Sequence, residues 1–155
     1  MVLRKLMGLL ACALIVSFAT VSMADVPNLD LSYAETAAGD QVSLFNLPDG
    51  SGSGLDAAFA YGGAMVDATI SLTLVNDDGE GIDGYAAEEL WLETTMGGLA
   101  ACADGTIADA STSGGGMTMW MEPLEAGGYT DIDGGELTVV MVSGDALTMP
   151  GMEEK

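Results

Sequence analysis

Across residues 66–75 the side chains alternate in kind: Ala68, Ile70, Leu72 and Leu74 are apolar, and Asp67, Thr69, Ser71 and Thr73 between them are polar. A period of two sends successive side chains to opposite sides of an extended chain, so this stretch predicts a strand with one face in a core and the other in water. The same alternation sends Glu89, Trp91 and Glu93 to one face and Leu90 and Leu92 to the other. It also divides Met117, Met119 and Met121 from Thr118 and Trp120, and the methionines are expected to fill interior space. Residues 137–142 are apolar on both faces and predict a central strand. Weaker strand signals fall at 29–35, read as an edge, at 42–46, at 100–106 and at 146–149.

Between these runs lie turn signals. Leu47-Pro48-Asp49-Gly50 closes the strand at 42–46, and Ser51-Gly52-Ser53-Gly54 prolongs that loop. Residues 55–61 have the character of one or two helical turns, stopped by Gly62 and Gly63. The polar turn at 76–81 joins the clearest strand to an extended path at 82–93, which together predict a hairpin-like unit. Residues 94–99 and 123–133 are read as loops and 110–116 as a Ser/Thr/Gly linker. The expectation is an all-β fold, an immunoglobulin-like β-sandwich of about seven or eight short antiparallel strands, because turn signals recur at the spacing such folds use. No segment after residue 24 sustains a helical apolar period beyond two turns.

The N-terminus adds a compartment. Arg4 and Lys5 precede an uncharged, largely apolar run at 6–21, and Ser22-Met23-Ala24 follows with small residues at the positions a signal peptidase reads. Residues 1–24 are therefore expected to be a cleavable signal peptide and 25–155 a single acidic domain, exported to the periplasm, cell surface or medium. Leu9-Leu10-Ala11-Cys12 also resembles a lipid-attachment box, although a lipoprotein would leave only residues 6–11 as its apolar region. After signal cleavage no membrane insertion is expected, since acids and glycines interrupt every later apolar run.

Charge then narrows the partners. The chain carries 24 acidic residues against three Lys and Arg, with no His, for a formal net charge of −21. Nucleic acid and anionic lipid are excluded, because binding either takes Lys or Arg to displace counterions. Such composition without hydrophobicity predicts disorder, but here 49% of residues are hydrophobic, enough to build a core. Repulsion among the carboxylates predicts stabilisation by salt or divalent cations. Cys12 departs with the signal, leaving Cys102 with no disulfide partner and expected to act as a small buried hydrophobe.

Residues 68–85, ATISLTLVNDDGEGIDGY, resemble bacterial immunoglobulin-like domains of the invasin and intimin class, in which a strand, an Asp/Asn-Gly turn and a second strand recur. Residues 108–119, ADASTSGGGMTM, are similar to a later segment of that class where T-D-x-x-G leads into an alternating strand, with Ser113 in place of the usual Asp. The resemblance covers about half of residues 25–155 and implies a surface-exposed spacer or adhesion module. Those relatives occur as tandem repeats, and this chain has no internal repeat.

Three constellations are candidates for chemistry. Asn76, Asp78 and Glu80 sit at alternate positions before Gly81, as at the start of an EF-hand calcium loop, but Asp83 replaces the aliphatic residue and Ala87 the bidentate Glu. They are the candidate metal ligands, for calcium, with a plain hairpin turn as the competing reading. Glu88, Glu89 and Glu93 beside Trp91 offer the carboxylate pair of a glycosidase, although with 24 acids such neighbours arise by chance. Trp91, Trp120, Tyr61, Tyr85 and Tyr129 suit either a carbohydrate platform or the core. With no His, no Arg after residue 4 and Lys155 the last residue, catalysis is not expected and no cofactor is required. The expected function is a non-catalytic secreted or cell-surface module in a structural or protein-contact role, with adhesion implied by the resemblance. The alternative is a carbohydrate- or calcium-binding extracellular domain, so the partner is a protein or a glycan and the chain a monomer or weak oligomer.

Overall fold

The structure, a computed structural model, describes residues 25–36, 38, 42–45, 47, 49–60, 62–94, 105–125 and 138–147. The expected signal peptide, Cys102, Tyr61, Tyr129 and the charged tail lie outside the described residues, as do most of the predicted strand at 100–106 and loop at 123–133.

The fold is all-β. Nine short strands are described: β1 (Tyr33–Thr36), β2 (Val42–Ser43), β3 (Ala58–Ala60), β4 (Met65–Val66), β5 (Ile70–Thr73), β6 (Leu90–Thr94), β7 (Met117–Trp120), β8 (Thr138–Val142) and β9 (Asp145–Leu147). The described helical content is two single 3-10 turns, Leu55–Ala57 and Ala87–Glu89. The strands form three antiparallel sheets in the orders β1-β5-β7, β2-β3-β4 and β6-β8-β9. Thus β1 is an edge and β8 is central within its sheet, as their patterns predict.

Ala68, Ile70, Leu72 and Leu74 are buried as their alternation requires, yet the backbone carrying them is shared between two sheets. Met65 and Val66 pair with β3, and residues 70–73 pair with β1 and β7. The change of sheet falls at Asp67, whose carboxylate accepts the N–H of Thr69 at 2.9 Å, while Ala68 donates to the carbonyl of Leu55 at 2.8 Å. A local Asx turn thus bends the chain without reversing which side chains face inward.

Three expectations about connections are corrected. Residues 51–54 are the returning arm of a hairpin, with the Leu47 N–H donating to Ser51 O at 2.7 Å and the Ser53 N–H to Phe45 O at 2.6 Å. Of the expected helical turns at 55–61, the described residues 55–60 make one 3-10 turn and then β3, because β2 and β4 flank Ala58–Ala60 and supply partners to backbone groups that so short a helix would leave unpaired. The hairpin-like unit of 66–75 with 82–93 extends only to the contacts of Leu74 with Ile82 and of Val75 with Gly81. Past it a turn at Asp83 and Gly84 redirects the chain, and β6 pairs with β8 instead. The predicted strand at 29–35 also begins late: the Asn28 Oδ1 accepts the N–H groups of Asp30 and Leu31, so residues 29–31 form a capped turn.

One hydrophobic cluster gathers inward residues from the sheets: Ala34, Ile70, Leu72 and Trp120 from the first, Ala58 from the second, and Leu90, Leu92, Val140, Val142 and Leu147 from the third. The described segment 106–108 adds to β6 on the side away from β8. Leu92 donates to Thr106 O at 3.1 Å, and Ala108 to Leu90 O at 2.9 Å.

Candidate functional site

Every Lys and Arg of the chain, at positions 4, 5 and 155, lies outside the described residues, and there is no His. The described carboxylates therefore have no cationic side chain among the described residues to meet, and those that are bonded accept from N–H and O–H groups. This rule organises each polar site.

In the turn after β5, the Asn76 Oδ1 accepts the N–H groups of Asp78 at 3.0 Å and Glu80 at 2.9 Å, and the Asn76 N–H donates to Glu80 O at 2.9 Å. Asn76 thus caps the turn from within. Asp78 and Glu80 are exposed, and Asp77 accepts from the Asn28 side chain at 2.8 Å, tying the chain's described start to this turn. The three sequence-predicted ligands are neighbours on one turn, and among the described residues no group of three or more carboxylate or thiol side chains is arranged to hold a metal.

The predicted linker at 110–116 is instead a hydrogen-bonded element anchored by buried Thr112 and Gly116. Thr112 is 2% exposed. Its hydroxyl donates to Ile82 O at 2.5 Å and accepts from the Tyr85 N–H at 2.9 Å, while its backbone exchanges bonds with Gly84 and Tyr85. The Asp83 Oδ1 accepts the N–H groups of Gly115 at 2.9 Å and Gly116 at 2.8 Å. These bonds, first from Gly116 and then from Gly115, hold the Asp83 carboxyl below the ordinary aspartate value of 3.8. Gly116 has φ +83°, and a Cβ there would run into the carbonyl of Leu74, which is why the approach needs glycine. At the other end of β7 the Asp109 Oδ2 accepts the N–H groups of Met121 at 2.8 Å and Glu122 at 3.2 Å. Two carboxylates thus bracket β7. The visible signal for the first was the Asp83-Gly84 step facing a triple glycine, whereas nothing local marks Asp109.

The bracketed strand presents its methionines outward, which corrects their expected role as filler. Met117, Met119 and Met121 are 50%, 42% and 37% exposed, while Thr118 and Trp120 face the core. Register places Thr73 between Tyr33 and Met117, and Ser71 between Glu35 and Met119. The outer face of this sheet is therefore an apolar ribbon with hydroxyls between and carboxylates beside it.

The outer face of the third sheet is different. Trp91 is half-buried and lies between Ile107 and Met141 in register, and its indole N–H donates to Glu93 Oε1 at 2.8 Å. Glu88, Trp91, Thr106 and Ile107 line a shallow depression of about 310 Å³. Glu89 is engaged elsewhere. The Ser143 hydroxyl donates to Glu89 Oε2 at 2.9 Å, so the 2.5 Å contact of Ser143 with Tyr85 is donated by the phenol. The Ser143 N–H also reaches Glu89 O at 2.8 Å, and Ser143 has φ +48° in the turn that joins β8 to β9. The structure thus separates the three glutamates near Trp91: Glu88 and Glu93 flank the ring, and Glu89 fastens a turn. Of the proposed aromatic platform, Trp120 is a core residue whose indole donates to Thr106 O at 2.9 Å, and Tyr85 belongs to the Ser143 contact.

Compared with known proteins, the chain matches no family model, no curated protein and no solved structure. No described helix is long and apolar enough to cross a membrane.

Proposed function

We propose that the chain is an exported, non-catalytic module of immunoglobulin-like sandwich type that works by contact with another protein. The sandwich reading is supported by the sheets β1-β5-β7 and β6-β8-β9, whose buried faces contribute to one core cluster. Export is supported by the charged, apolar and small-residue succession at 1–24.

The observation that carries the contact role is the outward ribbon of Met117, Met119 and Met121 with Tyr33 across the sheet. Solvent-facing methionines in a row are costly to leave bare and adapt readily to a partner's shape. With a net charge of −21 the partner is a protein surface with an apolar centre and a rim of Lys and Arg, since like-charged surfaces repel. Mild peroxide labelling tests this. In the purified protein Met117, Met119 and Met121 oxidise readily, and on the producing cells they are protected relative to the exposed Met65. Equal oxidation of all four in both settings removes the contact reading.

A further inference from the structure

We propose that the depression beside Trp91 is a binding site for small organic cations of the alkylammonium class. It lies on the outer face of the third sheet, apart from the methionine ribbon, and does not depend on that ribbon having a partner.

The ring is the first element. Trp91 is half-buried and its indole edge is fixed by the 2.8 Å bond to Glu93, so it cannot turn without breaking that contact. A fixed aromatic face attracts a positive nitrogen through its quadrupole, and tryptophan does so best of the aromatic residues. Charge is the second element. Glu88 lines the depression and Glu93 holds the ring, and no Lys, Arg or His lies among the described residues to neutralise either. Methyl and methylene groups find apolar wall at Trp91 and Ile107. The volume of about 310 Å³ sits at the small end of the roughly 300–1,000 Å³ typical of ligand pockets.

These features discriminate among ligands. An anion is repelled by Glu88 and Glu93. A bare metal ion gains nothing from the indole and isoleucine walls and retains its water. A neutral sugar can stack on the ring and donate its hydroxyls to the carboxylates, but it forgoes the Coulomb attraction that a cation gains there. An alkylammonium group uses the ring, the carboxylates and the apolar wall together.

The chain holds two tryptophans, so its indole N–H groups give two signals in a proton–nitrogen correlation spectrum. A Trp91→Phe variant assigns them. The purified protein is titrated at constant ionic strength with choline, with its uncharged isostere 3,3-dimethylbutan-1-ol and with glucose. Choline shifts the Trp91 signal to saturation, and the isostere and glucose do not. Glu88→Gln and Glu93→Gln each weaken choline binding about fivefold, the worth of roughly 1 kcal/mol for one opposite charge near a cation at a partly exposed site. Glutamine at 93 still accepts the indole proton, so that loss reports charge and not ring position. No saturable shift with choline, an equal response to the isostere, a response to glucose alone, or unchanged affinity in both variants overturns the proposal.

Discussion

Strands β5 and β7 lie side by side, and they take their orientation from different sources. In β5 the residue types decide: Ile70 and Leu72 face inward, Ser71 and Thr73 outward, and nothing else is needed to predict it. In β7 the types point the other way, for Thr118 is buried while Met117 and Met119 are exposed. Orientation there comes from outside the strand. Pairing sets Leu72 opposite Thr118 and Ile70 opposite Trp120, and Asp83 and Asp109 hold the backbone at either end. A one-residue slip would bring the methionines inward and expel Trp120, and the two carboxylates oppose it. Their role follows from composition: a chain with almost no cations uses its acids to cap N–H groups.

The largest effect expected from this comparison is at Trp120. Its side chain is fully buried and its indole satisfies Thr106 O, so Trp120→Ala removes both packing and a hydrogen bond. A loss of about 3–5 kcal/mol is expected from urea unfolding, a large share of the roughly 5–15 kcal/mol that holds a domain together. A cost below about 1 kcal/mol would mean that β7 sits in the other register and that Trp120 is not its inward anchor.

Asp83 comes next and is read through pH. Its carboxyl is held below the ordinary value of 3.8 by the N–H groups of Gly116 and Gly115, so its contribution is present above 3.8 and is lost as pH falls through the lower folded value. Asp83→Asn is therefore less stable than the parent at neutral pH, and the difference shrinks as acid protonates Asp83 in the parent. Asp67 is lowered by the Thr69 hydroxyl and N–H, and Asp49 by the Ser51 hydroxyl and N–H, so an acid transition persists in the variant with a shallower slope. Unfolding midpoints between pH 7 and pH 2.5 read this directly. A gap that stays constant through the acid range would show that Asp83 is not bonded as a carboxylate.

How much of this was legible follows the same division. Alternation at 66–75, the β6 faces and the central position of β8 were readable, because each strand's own residues state which side is apolar. The Asn76 turn was legible as a turn from its Asp and Gly content, and the Asn76 side-chain oxygen caps it from within by accepting the N–H groups of Asp78 and Glu80. The anchored element at 110–116 was not legible. Ser, Thr and Gly read as a linker when their partners are unknown, and Thr112 is buried only because residues 82–85 lie 27 to 30 positions away in sequence and beside it in space. The depression at Trp91 was half legible. Neighbours along β6 predicted which side chains share a face, but Thr106 and Ile107 reach it from a distant segment.

The smallest expected effect sharpens the comparison most. Met119→Thr places a β-branched polar residue on the outer face of β7, opposite Ser71, where a methionine in the core would be missed by several kcal/mol but an exposed one would not. Stability should change by no more than about 0.5 kcal/mol in either direction, the range of surface substitutions. The same change made inside, Leu72→Thr, removes buried apolar volume and introduces a hydroxyl into the core beside Ala34 and Thr118, so it is expected to cost several times more. If Met119→Thr instead costs more than about 1.5 kcal/mol, the ribbon is packed within its own chain and is not available to a partner. If it is neutral and the peroxide protection expected for Met117 and Met121 on cells is also lost, the methionine contributes to contact with another protein and nothing to the fold, which is the division of labour that the outward face of β7 implies.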